Sequence, residues 1–258
     1  MTTRFLTARW EHLVMLNYEV DPAVLAPLVP AGTTPDTWRG RTLASLVGFR
    51  FRDTWLLGLP VPGHRNFDEV NLRFYVRREV AGETRRAVAF VKEIVPRAAI
   101  ATVARWVYNE PYVARPMRHE DGLAARRRAR AAGDGSGEPS AGGPARVAYA
   151  WREQGRWHEL SATVAGEPAL PPADSEAAFI AEHYWGYTAQ RNGGTLEYQV
   201  EHPPWRVWPA VTSSFDGDAG SVYGPAWASV LAGPPRSAFV AEGSAVTVRR
   251  GALLPPPA

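Results

Sequence analysis

Residues 69 to 78 constrain this chain more than any other stretch. Val70, Leu72, Phe74 and Val76 share one face, while Asn71, Arg73, Tyr75 and Arg77 share the other. A period of two means an extended strand with one apolar and one polar side. The pattern recurs at 43 to 53, where Phe49 and Phe51 alternate with Arg50 and Arg52. Residues 86 to 95 follow after Ala81-Gly-Glu-Thr84, which reads as a hairpin connection. Further strands are expected at 145 to 153, 157 to 164, 195 to 202, 237 to 242 and 245 to 250, each short and bounded by Gly or Pro.

Helical signals are fewer. Asp21 precedes Pro22, Pro96 precedes a segment from Ala98 to Tyr108, and Ser175 caps a segment from Glu176 to about His183. The expected fold class is therefore α+β, mostly antiparallel β, with a few helices flanking a sheet or barrel. At 258 residues and 45% apolar side chains, one domain spanning 1 to 258 can close around a single core. Residues 121 to 145 are Ala, Gly, Pro and Arg with almost nothing to bury, which predicts a mobile low-complexity surface loop. Leu253-Leu254 and the prolines after them read as an extended tail.

Composition removes several function classes. There is no cysteine, so no thiolate nucleophile, disulfide or Cys-ligated zinc. The formal charge of +3 spread over 29 basic and 26 acidic residues argues against a nucleic-acid partner. No apolar run is long enough for a signal peptide or a membrane span, so a cytoplasmic location is expected. No Gly-x-Ser-x-Gly and no phosphate-cradling loop occurs, and no cofactor is implied. Glu182-His183 and Glu201-His202 could contribute metal ligands, but on a strand each dipeptide offers only one side chain inward, so no metal site is assigned.

Five segments carry a resemblance. They are Asn66 to Val76; Phe90 to Arg97 with Ile100 to His119; Glu182 to Thr188; Val200 to Trp205; and Ser237 to Val248. In this order they are similar to the YqjF-like (DUF2071) branch of the acetoacetate-decarboxylase-like superfamily. The resemblance implies a cone-shaped β barrel with flanking helices, enclosing a pocket for a small oxo acid or similar ligand. It also implies that a nucleophilic lysine should follow the proline of Arg105-Trp-Val-Tyr-Asn-Glu-Pro111, where this chain has Tyr112. A phenol cannot form an imine, because that chemistry requires a neutral primary amine.

Lys92 is the chain's single lysine. It shares a strand face with Val88, Phe90 and Ile94. If that face is the barrel interior, Lys92 is a candidate nucleophile; the neighbouring Glu93 and Arg97 favour an ordinary structural role. The resemblance also implies a pocket carboxylate at Asp68-Glu69, and Glu69 with Tyr112 forms a candidate acid–base pair. Arg118, His183 and Tyr184 are candidates for holding a ligand, which the resemblance makes a carboxylate or oxo acid. Three readings stay open: a ligand-holding barrel without imine chemistry; a lyase, hydratase or aldolase acting through Lys92 or an acid–base pair; and a structural protein with a filled barrel. Self-association into a homo-oligomer is open as well.

Overall fold

The computed structural model describes residues 3–61, 63–98, 109–132 and 143–254. The chain opens with β1 (Arg4–Glu19), a one-turn helix α1 (Pro22–Leu25), β2 (Thr34–Pro35), β3 (Thr37–Trp38) and β4 (Arg41–Leu56). β5 (Leu59–Pro60) folds back on β4, and β6 (Phe67–Val80) and β7 (Glu83–Val95) form a long hairpin. Next come β8 (Tyr112–Ala114), β9 (Met117–Asp121), α2 (Gly122–Ala132), β10 (Ala145–Glu153) and β11 (Arg156–Val164). The last third holds α3 (Glu176–Ala181), β12 (Trp185–Ala189), β13 (Thr195–Glu201), β14 (Val207–Asp216), α4 (Ala219–Tyr223), α5 (Pro225–Ala232), β15 (Ser237–Ala241), β16 (Ala245–Arg249) and β17 (Ala252–Leu254).

Seven of these strands close on one another. The circuit runs β1–β4–β6–β7–β12–β13–β16 and returns to β1; its β7–β12 step is parallel and every other step antiparallel. A closed circuit leaves no unpaired edge. β1 also starts a second sheet. Its first part, Arg4 to Arg9, pairs with β16, whereas Leu13 to Asn17 pair with β15. Between them the ladder is interrupted by a bulge containing His12, whose φ is +49°. From β15 the second sheet continues through β14, β11, β10 and β9.

The second sheet lies across the outside of β4 and β6. At Gly48 a Cβ would stand 2.7 Å from the Tyr149 ring, so only glycine lets β10 come this close. Val70, Leu72, Phe74 and Val76 pack into this layer with Tyr149, Trp151 and Leu160, all buried. Each such side chain contributes on the order of 1.5–3 kcal/mol of hydrophobic burial. The apolar face of the alternating strand therefore points away from the barrel axis, and its polar face points inward.

The structure departs from the expectations at three places. The stretch 121 to 145 is not simply a loop: Asp121 ends β9 and accepts the Ala124 N–H, starting helix α2, and Leu123 is buried in the sheet layer. An Asp before an Ala-rich run is an N-cap signal that outweighed the low-complexity composition. Leu253 and Leu254 belong to β17 and pair with Leu196 and Thr195 rather than trailing as a tail. The hairpin after β6 is tighter than expected, with Ala81 and Gly82 alone at positive φ and Val80 already paired with Glu83. Residues 99 to 108 of the expected helix, Arg105 included, lie outside the described residues.

Candidate functional site

The barrel encloses a cavity of about 220 Å³. Inward-facing positions of neighbouring strands build it. From β6 come Phe67, Glu69, Asn71 and Arg73, from β7 Val88, Phe90 and Glu93, and from β8 Tyr112. β1 and β4 supply an aromatic wall. Trp10 stands edge-on to Phe49 and Phe51 at 5.1 and 5.8 Å, and Phe51 stacks on Phe67 at 4.4 Å. Trp205 extends this wall and carries His202 stacked on it at 4.0 Å. A largely apolar lining with a few convergent polar groups is the usual make-up of a small-molecule site.

Three carboxyl groups face one another across the polar wall. Tyr112 Oη donates to Glu69 Oε2 at 3.0 Å, and Asn71 Nδ2 donates to Glu69 Oε1 at 3.0 Å. Glu93 lies opposite Asn71 on one side and Tyr112 on the other. Glu110 accepts from Tyr198 Oη at 2.5 Å and Thr188 Oγ1 at 3.4 Å. All three are buried, and among the described residues none forms an ion pair. Burial pushes the Glu69 pKa up to about 7 against the lowering effect of the Asn71 and Tyr112 bonds. Burial raises Glu110 to about 7 as well, despite its Tyr198 and Thr188 bonds. Glu93 is raised well above the usual range by burial and then by the charges of Glu110 and Glu69. Burial likewise raises the Tyr112 phenol, with the three carboxylates adding to it.

Arg73 is the cation of this wall. It is buried, its Nη2 meets only the Met15 sulfur at 3.8 Å, and its Nε has no hydrogen-bond partner. His183 Nε2 lies 3.3 Å from Asp36 Oδ2, which also receives Arg86 Nε at 2.8 Å. Burial drives the His183 pKa down to about 4 despite that carboxylate, so the ring is neutral at pH 7. Burial acts to raise Asp36, but the bonds from His183 and Arg86 prevail and its pKa is lowered. The second nitrogen of His183, Nδ1, is buried without a partner.

Of the residues singled out from sequence, Glu69, Tyr112 and His183 line the cavity. Lys92 does not. Leu72 pairs with Lys92 but Arg73 pairs with Phe90, so Val91 is an extra residue in β7. This bulge breaks the alternation: Val88 and Phe90 point inward, Lys92 and Ile94 outward, and Glu93 inward again. Lys92 Nζ donates to the Val222 carbonyl in the outer layer and sits 5.9 Å from the Tyr223 ring. Arg118 is also outside the cavity, on β9 in the second sheet, with its guanidinium 4.4 Å from the Trp157 ring. Tyr184 is not among the lining residues; its ring rests 4.8 Å from His202. Asp68 faces outward and binds His119 at 2.8 Å and Arg50 at 3.5 Å. Among the described residues no group of three or more acidic or histidine side chains is arranged to hold a metal ion. No described helix is long and apolar enough to cross a membrane.

Arg73, Asn71, Glu93 and Glu110 are the site residues that the sequence did not single out as such. Asn71 and Arg73 lie on the polar face that the period of two marks, but nothing in that pattern says what the face meets. Glu93 was hidden by the bulge beside it.

The fold has close counterparts. An enduracididine biosynthesis enzyme, MppR, complexed with pyruvate, superposes with a TM-score of 0.63, covering 99% of this chain and 92% of its own at 18% identity. Acetoacetate decarboxylase from Legionella pneumophila gives a TM-score of 0.65 at 11% identity, covering 98% of this chain and 88% of its own. At the sequence level the uncharacterized protein YqjF of Bacillus subtilis is 37% identical over 68 residues, 26% of this chain and 28% of that protein. The family model DUF2071, uncharacterized conserved protein, matches residues 7–245. With the closed barrel and its outer sheet in place, this chain belongs to the DUF2071 family and has the acetoacetate-decarboxylase-like fold.

Proposed function

We propose that the barrel holds a small carboxylate or oxo acid, and does so without a Schiff-base step. The observation that carries this reading is Arg73, a buried guanidinium at the cavity wall that forms no salt bridge among the described residues, although its charge acts on Glu69 nearby. A buried charge without a direct partner is costly, and an anion entering the cavity supplies that partner with charge-assisted hydrogen bonds. The MppR structure with pyruvate is consistent with a barrel of this type accepting a small oxo acid. The single lysine points into the outer layer, and the sequence resemblance would put the decarboxylases' amine where this chain has Tyr112, which supports a reading without an imine.

A thermal-shift screen of small carboxylates, 2-oxo acids and 3-oxo acids tests the proposal, because a ligand of the native state raises Tm. Stabilisation by members of this set, lost in Arg73→Gln, is expected. No response from wild type across the set would favour a filled structural barrel instead.

A second reading, acid–base catalysis on the bound acid, is favoured by the Tyr112–Glu69 hydrogen bond. A carboxyl group titrating near 7 exchanges a proton readily at neutral pH, and the phenol beside it can pass that proton on. Hydrogen–deuterium exchange next to the carbonyl of a bound oxo acid, followed by NMR, is the direct assay. Exchange lost in both Glu69→Gln and Tyr112→Phe identifies the pair as the catalyst.

A further inference from the structure

Among the cavity-lining residues, the buried polar atoms without partners are the donors Arg73 Nε and Trp10 Nε1, the hydroxyl Thr54 Oγ1, and the acceptors Asn71 Oδ1, His183 Nδ1 and, once ionised, Glu93 Oε2. Arg73, Asn71 and Glu93 are each more than nine-tenths buried and sit close together on β6 and β7. Arg73 and Asn71 are two positions apart on β6, so their side chains emerge from one face about 7 Å apart. Glu93 faces Asn71 directly across the β6–β7 pair. An anion alone would meet the donors Arg73 Nε and Trp10 Nε1 and leave the acceptors as they are. Three buried carboxyl groups that form no salt bridge among the described residues, with only the charge of Arg73 acting on Glu69, and the orphaned acceptors beside them call for a ligand that brings N–H donors and positive charge.

Resting on the anion-binding reading above, we infer that the ligand is a small zwitterion. Its carboxylate meets Arg73; its ammonium or guanidinium group meets Glu93 and Asn71; and its apolar remainder lies against Trp10, Phe49 and Phe51. The cavity then has complementary charge at both polar loci, and Arg73 Nε, Asn71 Oδ1 and Glu93 Oε2 each acquire a partner. The raised pKa values of Glu69, Glu93 and Glu110 fit this arrangement. A cluster that retains protons when empty ionises against an incoming cation, so binding releases protons. An incoming anion without the cation would have the opposite effect.

The test uses the full chain and matched ligands sharing one side chain: phenylalanine, 3-phenylpropanoate, phenylpyruvate and phenethylamine, with leucine, 4-methylpentanoate, 4-methyl-2-oxopentanoate and isopentylamine as a second set. Arginine is added as a guanidinium case. Calorimetry at pH 7 in two buffers of different ionisation enthalpy gives affinity and proton count together. The expected result is that at least one amino acid binds ten-fold or more tightly than its des-amino carboxylate and releases protons. In Glu93→Gln the preference should shrink to under three-fold while carboxylate binding persists, and Arg73→Gln should lose both. Equal or tighter binding of the carboxylates and oxo acids throughout, with no proton release, overturns the zwitterion and leaves the carboxylate site standing. Binding by none of the ligands overturns both. If Glu93→Gln does not fold, the sign of the proton count in wild type still decides between zwitterion and anion.

Discussion

Lys92 and Glu93 are consecutive residues whose side chains enter different interiors. Lys92 donates to the Val222 carbonyl in the layer outside the barrel, and Glu93 joins Glu69 and Glu110 within it. The Val91 bulge separates the two destinies, and most of the testable consequences of this fold trace to which residues end up inside.

Lys92 should be inert toward carbonyl ligands. Borohydride treatment in the presence of 2-oxo and 3-oxo acids is expected to leave the intact mass unchanged. Lys92→Ala should keep ligand binding and lose on the order of 1 kcal/mol of stability, from the hydrogen bond to Val222. An adduct that disappears in this variant would refute the outward placement.

Arg73→Met should separate stability from binding. The substitution removes a buried guanidinium whose contacts are the Met15 sulfur and, at 5.9 Å, the Tyr75 ring, and leaves an apolar side chain of similar reach. Replacing an unpaired buried charge is expected to raise the Tm of the empty protein by a few degrees while abolishing its response to carboxylates. A fall in Tm would mean that the guanidinium is already compensated.

Glu69 and Glu110 titrate near 7 in the folded chain, above the 4.5 of a free carboxyl. The native state therefore holds protons that the unfolded chain has released. Their contribution to stability is complete below about pH 4.5 and is lost as pH rises through 7, with a slope of up to about 1.4 kcal/mol per pH unit for each group. His183 acts in the other direction. With its pKa near 4 against 6.5 unfolded, its contribution is complete above 6.5 and is lost as pH falls through 4. The Tm of Glu69→Gln relative to wild type should accordingly rise from pH 4.5 to 7. A difference that stays flat over that interval would contradict a raised Glu69.

Gly186 should not tolerate a methyl group. A Cβ there would lie 2.2 Å from the Tyr198 ring, whose hydroxyl anchors Glu110. Gly186→Ala is expected to cost about 1–3 kcal/mol from overpacking and to weaken ligand binding by displacing Tyr198. Unchanged denaturation and unchanged affinity together would place Tyr198 elsewhere.

Much of the fold was legible because its strands obey simple periodicity. The strands at 145 to 153 and 245 to 250 appear within a residue of expectation, and Ser175 caps α3 as its position suggested. The site was less legible, for two physical reasons. In a barrel wrapped by a second sheet, both faces of a strand are buried, so polar residues on Asn71 and Arg73's face mark the cavity rather than solvent. A bulge, in addition, shifts the inward set by one residue without leaving any trace in local composition. Val91 resembles its neighbours, and only the pairing of Phe90 with Arg73 exposes the extra residue.

The bulge also sets part of the cavity's charge. Had β7 alternated without interruption, its inward position after Phe90 would carry an ammonium instead of a carboxyl group. Transposing the two residues in the double variant K92E/E93K would leave the composition and net charge of the whole protein untouched, yet alter the formal charge of the chamber by two units. For a barrel of this kind, the electrostatic character of the chamber thus depends on sequence order at one irregular step, and chains of identical composition can enclose chambers of different charge.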